Sequence, residues 1–375
     1  MRSTRASQGF LAVALLVAGC STPPAATSDG ESLAPTSSPA PTSEAPSTTS
    51  PSPIASAPPS ARPVLSWSRL NQGGNSPPAR EDHTWTLDPA TGQAYLFGGR
   101  DGARAFGDLW RYDLAADAWT RIETAGAGPA PRFGHTGTWV PDVGLVVWSG
   151  QAGSDFFSDA WAFDPSPGRW RRLPTDGAVP KARYGSCAAL GPDGRLWVSH
   201  GFTEDTGRFS DTWAYDFAAR RWVDETPGGR VATIRCLHDC LWTSDGRFLI
   251  YAGQTTGAPA IGDLWSRTVD GGWSKVADVL PAPRQLYALA ITRSVDAERA
   301  FVFGGGDKDR AKLADLWSLD LDGLTWREEA PEGRAPSGRS GAAMVSDPSG
   351  TRLLLFGGQS SSGALGDLWE IRLAG

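Results

Sequence analysis

Six arginines recur along the chain, each just ahead of a short apolar segment: Arg80, Arg132, Arg183, Arg235, Arg284 and Arg339. A planar guanidinium group donates paired hydrogen bonds to a carboxylate or a phosphate, so a ring of such groups would suit an anionic ligand. A residue present in every repeat can equally serve the repeat itself, by pairing with a loop carbonyl or carboxylate. The sequence leaves both interpretations open.

A second group of candidates breaks the repeat, so the scaffold does not require them: Arg104, Phe156, Phe157, Glu204, Asp205 and Arg208. Their mixed charge and aromatic rings suit a surface that binds a protein, a peptide or a glycan. The alternative is that they are solvated loop residues, with the phenylalanines turned inward.

Catalytic motifs are scarce. The sequence contains no nucleophile elbow, no phosphate-binding loop and no dinucleotide fingerprint. Three of the four histidines, His83, His135 and His238, follow a repeated arginine by three residues, and His200 replaces a repeated glycine. No spacing suggests a zinc site. We therefore predict no catalytic residue, no metal site and no cofactor.

The elements that carry these residues follow from a repeat. An Asp-x-Trp motif begins at residues 108, 159, 211, 263, 315 and 367, in steps of 51 or 52 residues. An apolar segment that ends in a glycine pair or its remnant precedes each motif, and a second tryptophan follows the first five. Turn residues such as Asp88-Pro89 separate the segments. Each repeat therefore predicts four short strands.

This pattern closely resembles the Kelch repeat, over residues 64–375. The resemblance implies an all-β fold, a single six-bladed β-propeller with four antiparallel strands per blade. It places the chain in the superfamily of galactose oxidase, but no histidine pair for the copper site is recognisable. In Kelch proteins the rim formed by the loops from outer to inner strand and from second to third strand usually binds the ligand. We expect the six arginines to surround the channel on that rim.

The ends of this region predict how the ring closes. The sixth repeat has no second tryptophan, whereas Trp67-Ser68-Arg69-Leu70 matches the outer-strand segment Trp119-Thr120-Arg121-Ile122. The first strand should therefore complete the last blade, which removes two free sheet edges.

The N-terminus resembles a bacterial lipoprotein signal. Residues 1–19 carry Arg2 and Arg5 ahead of a short apolar stretch, and Val17-Ala18-Gly19-Cys20 resembles a lipobox. The resemblance implies lipidation of Cys20 and anchoring on the extracytoplasmic side of a bacterial cell membrane. Residues 20–63, rich in Ser, Thr, Pro and Ala, are predicted to form a disordered stalk.

The three remaining cysteines, Cys187, Cys236 and Cys240, are compatible with a disulfide, because exported proteins keep such bonds. Cys236 and Cys240 would lie about 13 Å apart on one strand, which is too far. Cys187 could pair with either of them across a blade boundary, or all three could be buried thiols.

The net charge of −6 and the absence of a basic cluster argue against a nucleic-acid partner and against adhesion to anionic lipid. We predict a monomeric, non-catalytic module that binds a protein or a glycan at the cell surface. One alternative is an exported sialic acid epimerase (mutarotase), in which Glu204 or Asp205 would act as general acid or base. The other is a structural envelope protein.

Overall fold

The computed structural model describes residues 64–277, 281–293 and 297–373. The predicted signal peptide, Cys20 and the predicted stalk lie outside the described residues. The described part of the chain consists of strands, turns and irregular segments, and it contains no helix that could cross a membrane.

Six four-stranded antiparallel sheets form the blades, and four blades also carry a two-stranded hairpin between their second and third long strands. The first strand of the described part is β1 (Ser66–Leu70), and blade 1 contains β2 (Thr84–Asp88), β3 (Gln93–Phe97), β4 (Arg100–Asp101), β5 (Arg104–Ala105), β6 (Leu109–Asp113) and β7 (Ala118–Ile122). Blade 2 contains β8 (Thr136–Val140), β9 (Gly144–Trp148), β10 (Gln151–Ala152), β11 (Asp155–Phe156), β12 (Ala160–Asp164) and β13 (Arg169–Arg172). Blade 3 contains β14 (Cys187–Leu190), β15 (Leu196–Ser199), β16 (Phe202–Thr203), β17 (Gly207–Arg208), β18 (Thr212–Asp216) and β19 (Arg221–Asp224).

The remaining blades follow the same order. Blade 4 contains β20 (Asp239–Trp242), β21 (Phe248–Thr255), β22 (Ala258–Arg267) and β23 (Ser274–Ala277). Blade 5 contains β24 (Ala288–Arg293), β25 (Glu298–Phe303), β26 (Leu316–Asp320) and β27 (Thr325–Glu329). Blade 6 contains β28 (Ala343–Ser346), β29 (Arg352–Phe356), β30 (Gln359–Ser360), β31 (Gly363–Ala364) and β32 (Leu368–Arg372), and it takes β1 as its outer strand. The predicted all-β, six-bladed propeller is confirmed.

The closure of the ring is confirmed as well. Strand β1 pairs with β32 in antiparallel register, with Trp67 opposite Ile371 and Leu70 opposite Leu368. Because the two ends of the domain share one sheet, blade 6 has the same four strands as the other blades. A backbone hydrogen bond from Trp67 to Glu332 ties the same strand to the loop that follows blade 5.

Tryptophans of the outer strands hold neighbouring blades together. Trp119 of blade 1 lies 5.2 Å from Phe356 of blade 6, measured between ring centroids, and Trp170 of blade 2 lies 5.2 Å from Phe97 of blade 1. Large flat rings fill the wedge between sheets that diverge from an axis. The second strand of each blade is buried along almost its whole length, since a neighbouring blade covers each of its faces.

Candidate functional site: the rim and the channel

Each repeated arginine lies inside its own blade and is fully bonded there. In blade 1, Arg80 forms paired bonds of 2.7 and 2.9 Å to the Asp108 carboxylate. It also donates to the carbonyl oxygens of Gly98 and Pro78, and Trp110 donates its indole N–H to the same carboxylate. Burial by itself raises the pKa of Asp108. The hydrogen bonds and the positive charge of Arg80 outweigh burial and hold that pKa below its ordinary value.

We call this arrangement the arginine clamp, and it recurs in every blade: Arg80–Asp108, Arg132–Asp159, Arg183–Asp211, Arg235–Asp263, Arg284–Asp315 and Arg339–Asp367. The arginines are only 0 or 1 % exposed, and none of them lines the channel. The expectation that they surround the channel mouth is therefore corrected. The aspartate and carbonyl oxygens of the same repeat accept the hydrogen bonds of each guanidinium group. Of the two interpretations that the sequence leaves open, the geometry therefore supports a structural role for the arginines.

Two residues after each arginine, a closed ring of backbone hydrogen bonds surrounds the channel. Each N–H in this ring donates to the carbonyl of the preceding blade at 2.7–3.0 Å, and the members are Asp82, Gly134, Gly185, Leu237, Leu286 and Gly341. We call it the amide ring. All six members have positive φ, between 53° and 65°. All six members also line the cavity described below, at the end where the inner strands begin.

Glycine is required in this ring at Gly341. A Cβ there would come within 2.5 Å of Asp82 Oδ1 and 3.1 Å of the Asp82 backbone nitrogen. The side chain of Asp82 therefore occupies space that only a glycine in the preceding blade leaves free.

Above the amide ring, blades 2 and 3 present a cluster of aromatic side chains on the rim. The ring of Tyr184 lies 5.8 Å from Phe202, 6.1 Å from Phe156 and 6.4 Å from Phe133. We call these four residues the aromatic patch. Phe133 is buried, whereas the other three rings are partly exposed. Of the four, only Phe156 was among the predicted binding residues, since the others come together only when two blades meet.

An arginine flanks the aromatic patch on each side. The guanidinium of Arg100 lies 4.4 Å from the centre of the Phe133 ring, and that of Arg208 lies 5.5 Å from the centre of Phe202. Such stacking is favourable and leaves the edge of the guanidinium group able to donate hydrogen bonds. Arg208, one of the predicted binding residues, lies on the hairpin of blade 3.

The rim over blade 1 has a charged character instead. Arg100 bonds to Asp82 at 2.9 Å and to Glu81 at 3.2 Å, and both carboxylates are almost fully buried. Burial, with the neighbouring Asp82 charge, raises the pKa of Glu81 to about 7. Lys312, from blade 5, donates to Ser340 Oγ at 2.5 Å close by. The rim is thus divided into an aromatic part and a charged part.

The other predicted rim residues take separate places. Arg104 and Glu204 are exposed on their hairpins, and Phe157 lies beneath the Arg132 guanidinium, 4.0 Å from ring centre to Cζ. Phe157 therefore covers an arginine clamp. Exposed Asp205 pairs with Lys181 at 2.7 Å, and the hydrogen bond from Lys181 holds its pKa below the ordinary value. A carboxyl with a lowered pKa is a poor general acid at neutral pH.

Below the amide ring, the six inner strands enclose a cavity of about 650 Å³. One acid on its wall stands out. Asp239 lies four residues after Arg235, where the other blades have Thr84, Thr136, Cys187, Ala288 and Ala343. Burial raises the pKa of Asp239 to about 7. Sequence reasoning missed it, although an alignment of the six repeats on their arginines would have shown it as the only acid at that position.

The histidines of the channel wall are neutral. Burial, reinforced by Arg132, lowers the pKa of His135 to about 3, and burial likewise lowers the pKa values of His83 and His238. Among the described residues there is no group of three potential metal ligands. These imidazoles therefore pack the space between blades and bring no positive charge to the cavity.

A disulfide crosses the wall of the same channel. Cys187 of blade 3 and Cys240 of blade 4 are bonded, with their Cα atoms 5.6 Å apart. Cys236 is a buried free thiol. Of the pairings that the sequence left open, the structure therefore selects Cys187 with Cys240.

Comparison with known proteins gives the same repeat architecture. Kelch domain-containing protein 2 of Bos taurus is 27 % identical over 322 residues, which covers 71 % of this chain and 73 % of that protein. Adagio-like protein 3 of Oryza sativa subsp. japonica is 26 % identical over 336 residues, covering 83 % of this chain and 51 % of that protein. Leucine-zipper-like transcriptional regulator 1 of Pongo abelii is 26 % identical over 255 residues, covering 63 % of this chain and 29 % of that protein.

The chain thus spans about three quarters of the first of these relatives, about half of the second and less than a third of the third. A family model, the KLHDC2/KLHL20/DRC7 Kelch-repeats domain, matches residues 63–253 and 243–374. Those two segments contain all six arginine clamps. On this match and on the six blades, the chain belongs to the Kelch-repeat family.

Proposed function

We propose that this protein is a lipid-anchored, extracytoplasmic binding module whose partner is another protein that docks on the rim over blades 2 and 3. The observation that carries the proposal is the aromatic patch, with three partly exposed rings between Arg100 and Arg208. Aromatic residues and arginine are the side chains that most often dominate the energy of protein–protein interfaces.

The surroundings of the patch suit the same use. Val179 and Ile234, in the loops that lead into blades 3 and 4, are exposed apolar residues on the same rim. The scaffold does not need them, since the arginine clamps and the interblade tryptophans already hold the blades together. A rigid surface of this kind binds with little loss of conformational entropy, because its backbone is fixed before the partner arrives.

Export and anchoring rest on the N-terminal sequence and gain support from the disulfide. Disulfide bonds persist in oxidising compartments and are rare in the cytosol, so Cys187–Cys240 agrees with a chain that crosses a membrane. The lipidated Cys20 would hold the propeller at the extracytoplasmic face, and residues 21–63 would space it from the lipid surface.

The rim is tested by surface cross-linking in intact cells, followed by identification of the captured protein and measurement of its dissociation constant. The double variant Tyr184→Ala with Phe202→Ala should weaken that binding at least about tenfold, the usual effect of losing a dominant aromatic contact. Phe217→Ala is the matched control, because Phe217 is a partly exposed aromatic in the loop between the third and fourth strands of blade 3, on the opposite face. Equal binding by the rim variant and the wild type would exclude the patch.

The anchor is tested separately. Cys20→Ser should move the protein from the membrane fraction to the soluble extracytoplasmic fraction and abolish labelling with a radioactive fatty acid. Ser21→Ala, next to the modified thiol, should change neither result. Membrane retention of Cys20→Ser would show that the chain is held by another means.

A further inference from the structure

The cavity below the amide ring has the size of a small-molecule site. Its volume of about 650 Å³ lies within the range of ligand pockets, roughly 300–1,000 Å³. It extends along the inner strands from the amide ring to their far ends, where Pro192 and Arg293 are exposed. The cavity therefore reaches solvent on the face opposite the rim.

Three charged residues line this cavity, and two of them form ion pairs with other residues of the chain. Of the charged residues that line it, Asp82 bonds to Arg100 at 2.9 Å and Arg293 bonds to Glu298 at 2.5 Å. Asp239 is the exception among the described residues. Its Oδ1 accepts the N–H of Cys240 at 3.0 Å, and the carboxyl has no ion-pair partner in the described part of the chain.

The position of Asp239 is held by its neighbours. Its backbone N–H donates to the Tyr287 hydroxyl at 2.9 Å, and that hydroxyl donates to the carbonyl oxygen of Tyr251 at 2.7 Å. These bonds fix the start of β20 against blade 5, so the carboxyl lies at a defined place between blades 4 and 5. Around it the wall is largely apolar, with Leu289 facing it from blade 5.

We propose that the channel binds a small organic ammonium ion with a compact apolar body, whose positive charge is paired with the carboxylate of Asp239. An anion would meet uncompensated negative charge. A metal ion would find a single carboxylate, since the described residues contain no cluster of three potential ligands. An ammonium group needs only one carboxylate, and the apolar wall accommodates the rest of the molecule.

The protonation of Asp239 makes the proposal measurable. Burial without a counter-charge raises its pKa to about 7, and a cation at hydrogen-bond distance would lower that pKa. The titratable groups around it are His238, directly before it in the chain, and Tyr251 and Tyr287 from blades 4 and 5. All three are neutral around pH 7, since burial lowers the pKa of the histidine and raises those of the tyrosines. Arg235 remains paired with Asp263. Ammonium and proton therefore compete for one carboxyl.

The test is calorimetric titration of the full chain in detergent with three probes of one shape: cyclohexylmethylamine, cyclohexylmethanol and cyclohexanecarboxylate. At pH 8 the amine should bind at least about tenfold more tightly than the alcohol, and the carboxylate should not bind. Below pH 7 the affinity for the amine should fall by up to about tenfold per pH unit, because the proton occupies the same group.

Variants separate the charge from the shape of the site. Asp239→Asn should remove the advantage of the amine over the alcohol, and Asp239→Glu should retain it. Asp101→Asn, an exposed acid on the rim, should behave like the wild type, as should the rim double variant. Equal affinity for amine and alcohol, an undiminished preference in Asp239→Asn, or binding of none of the probes would each overturn the proposal.

Discussion

The six arginine positions and the six positions four residues further along behave in opposite ways. Every arginine is the same residue, buried in its own blade and bonded to an aspartate of that blade. The second set varies from blade to blade: Thr84, Thr136, Cys187, Asp239, Ala288 and Ala343.

The difference follows from where the partners lie. A clamp is satisfied inside one blade, so every copy of the repeat imposes the same residues. The later position faces the next blade and the channel, where each neighbour is different: Cys187 meets Cys240, and Thr84 meets His135 at 3.0 Å. In a repeat protein, the residues that give one copy its own function are therefore expected where a side chain contacts a neighbouring repeat or the channel.

Breaking a clamp should have the largest effect. Arg235→Ala leaves the Asp263 carboxylate nearly buried without its partner, and we expect the free energy of unfolding to fall by about 3–5 kcal/mol. Arg104→Ala, at an exposed rim arginine, should change it by less than about 0.5 kcal/mol. Chemical denaturation measures both. A small effect at Arg235 would mean that the clamp does not hold the blade.

Removing the disulfide should have an intermediate effect. The double variant Cys187→Ala with Cys240→Ala should lose about 2–4 kcal/mol of unfolding free energy, since the bond restricts the unfolded chain. A reducing agent should lower the melting temperature of the wild type and of Cys236→Ala but leave that of the double variant unchanged. If reduction leaves all three unchanged, the bond is absent in solution.

Neutralising the channel acid should have an effect of the opposite sign, a gain in stability that depends on pH. A carboxyl in the unfolded chain loses its proton near pH 4, whereas Asp239 keeps its proton in the fold up to about pH 7. Stability is therefore lost as pH rises through this range. Asp239→Asn should melt at a higher temperature than the wild type at pH 8, and by a clearly smaller margin at pH 5. The same difference at both pH values would contradict an uncompensated charge.

Much of the architecture was predictable because the repeat is strict. The Asp-x-Trp spacing predicted six blades, and the match between residues 67–70 and 119–122 predicted that β1 completes blade 6. The possible contact between Cys187 and a cysteine of blade 4 was also predictable, because Cys187 and Cys240 lie four and five residues after the repeated arginines of adjacent repeats. Lipidation of Cys20 and the stalk stay predictions, since those residues lie outside the described part.

The site was harder to predict, because its residues come from different repeats. Tyr184 and Phe156 are separated in sequence by the third and fourth long strands of blade 2 and the loop after them, and they meet on the rim only because blade 2 is followed by blade 3. Arg100 was absent from the candidates, although it joins the buried acids to the aromatic patch. Nothing local in the sequence distinguishes it from any other loop arginine.

The number of blades, the order of their strands and the repeated residues of the clamps follow from the amino-acid sequence, because strand periodicity and turn chemistry act within one repeat. The pairing of the arginines with their aspartates, and the ring of six backbone amides around the channel, become visible in the folded structure alone. The folded structure also decided that Asp239 faces a cavity without a counter-charge. These features depend on how the six sheets pack around a common axis. That packing, and not the local sequence, determines which side chains are buried and which distant segments pair.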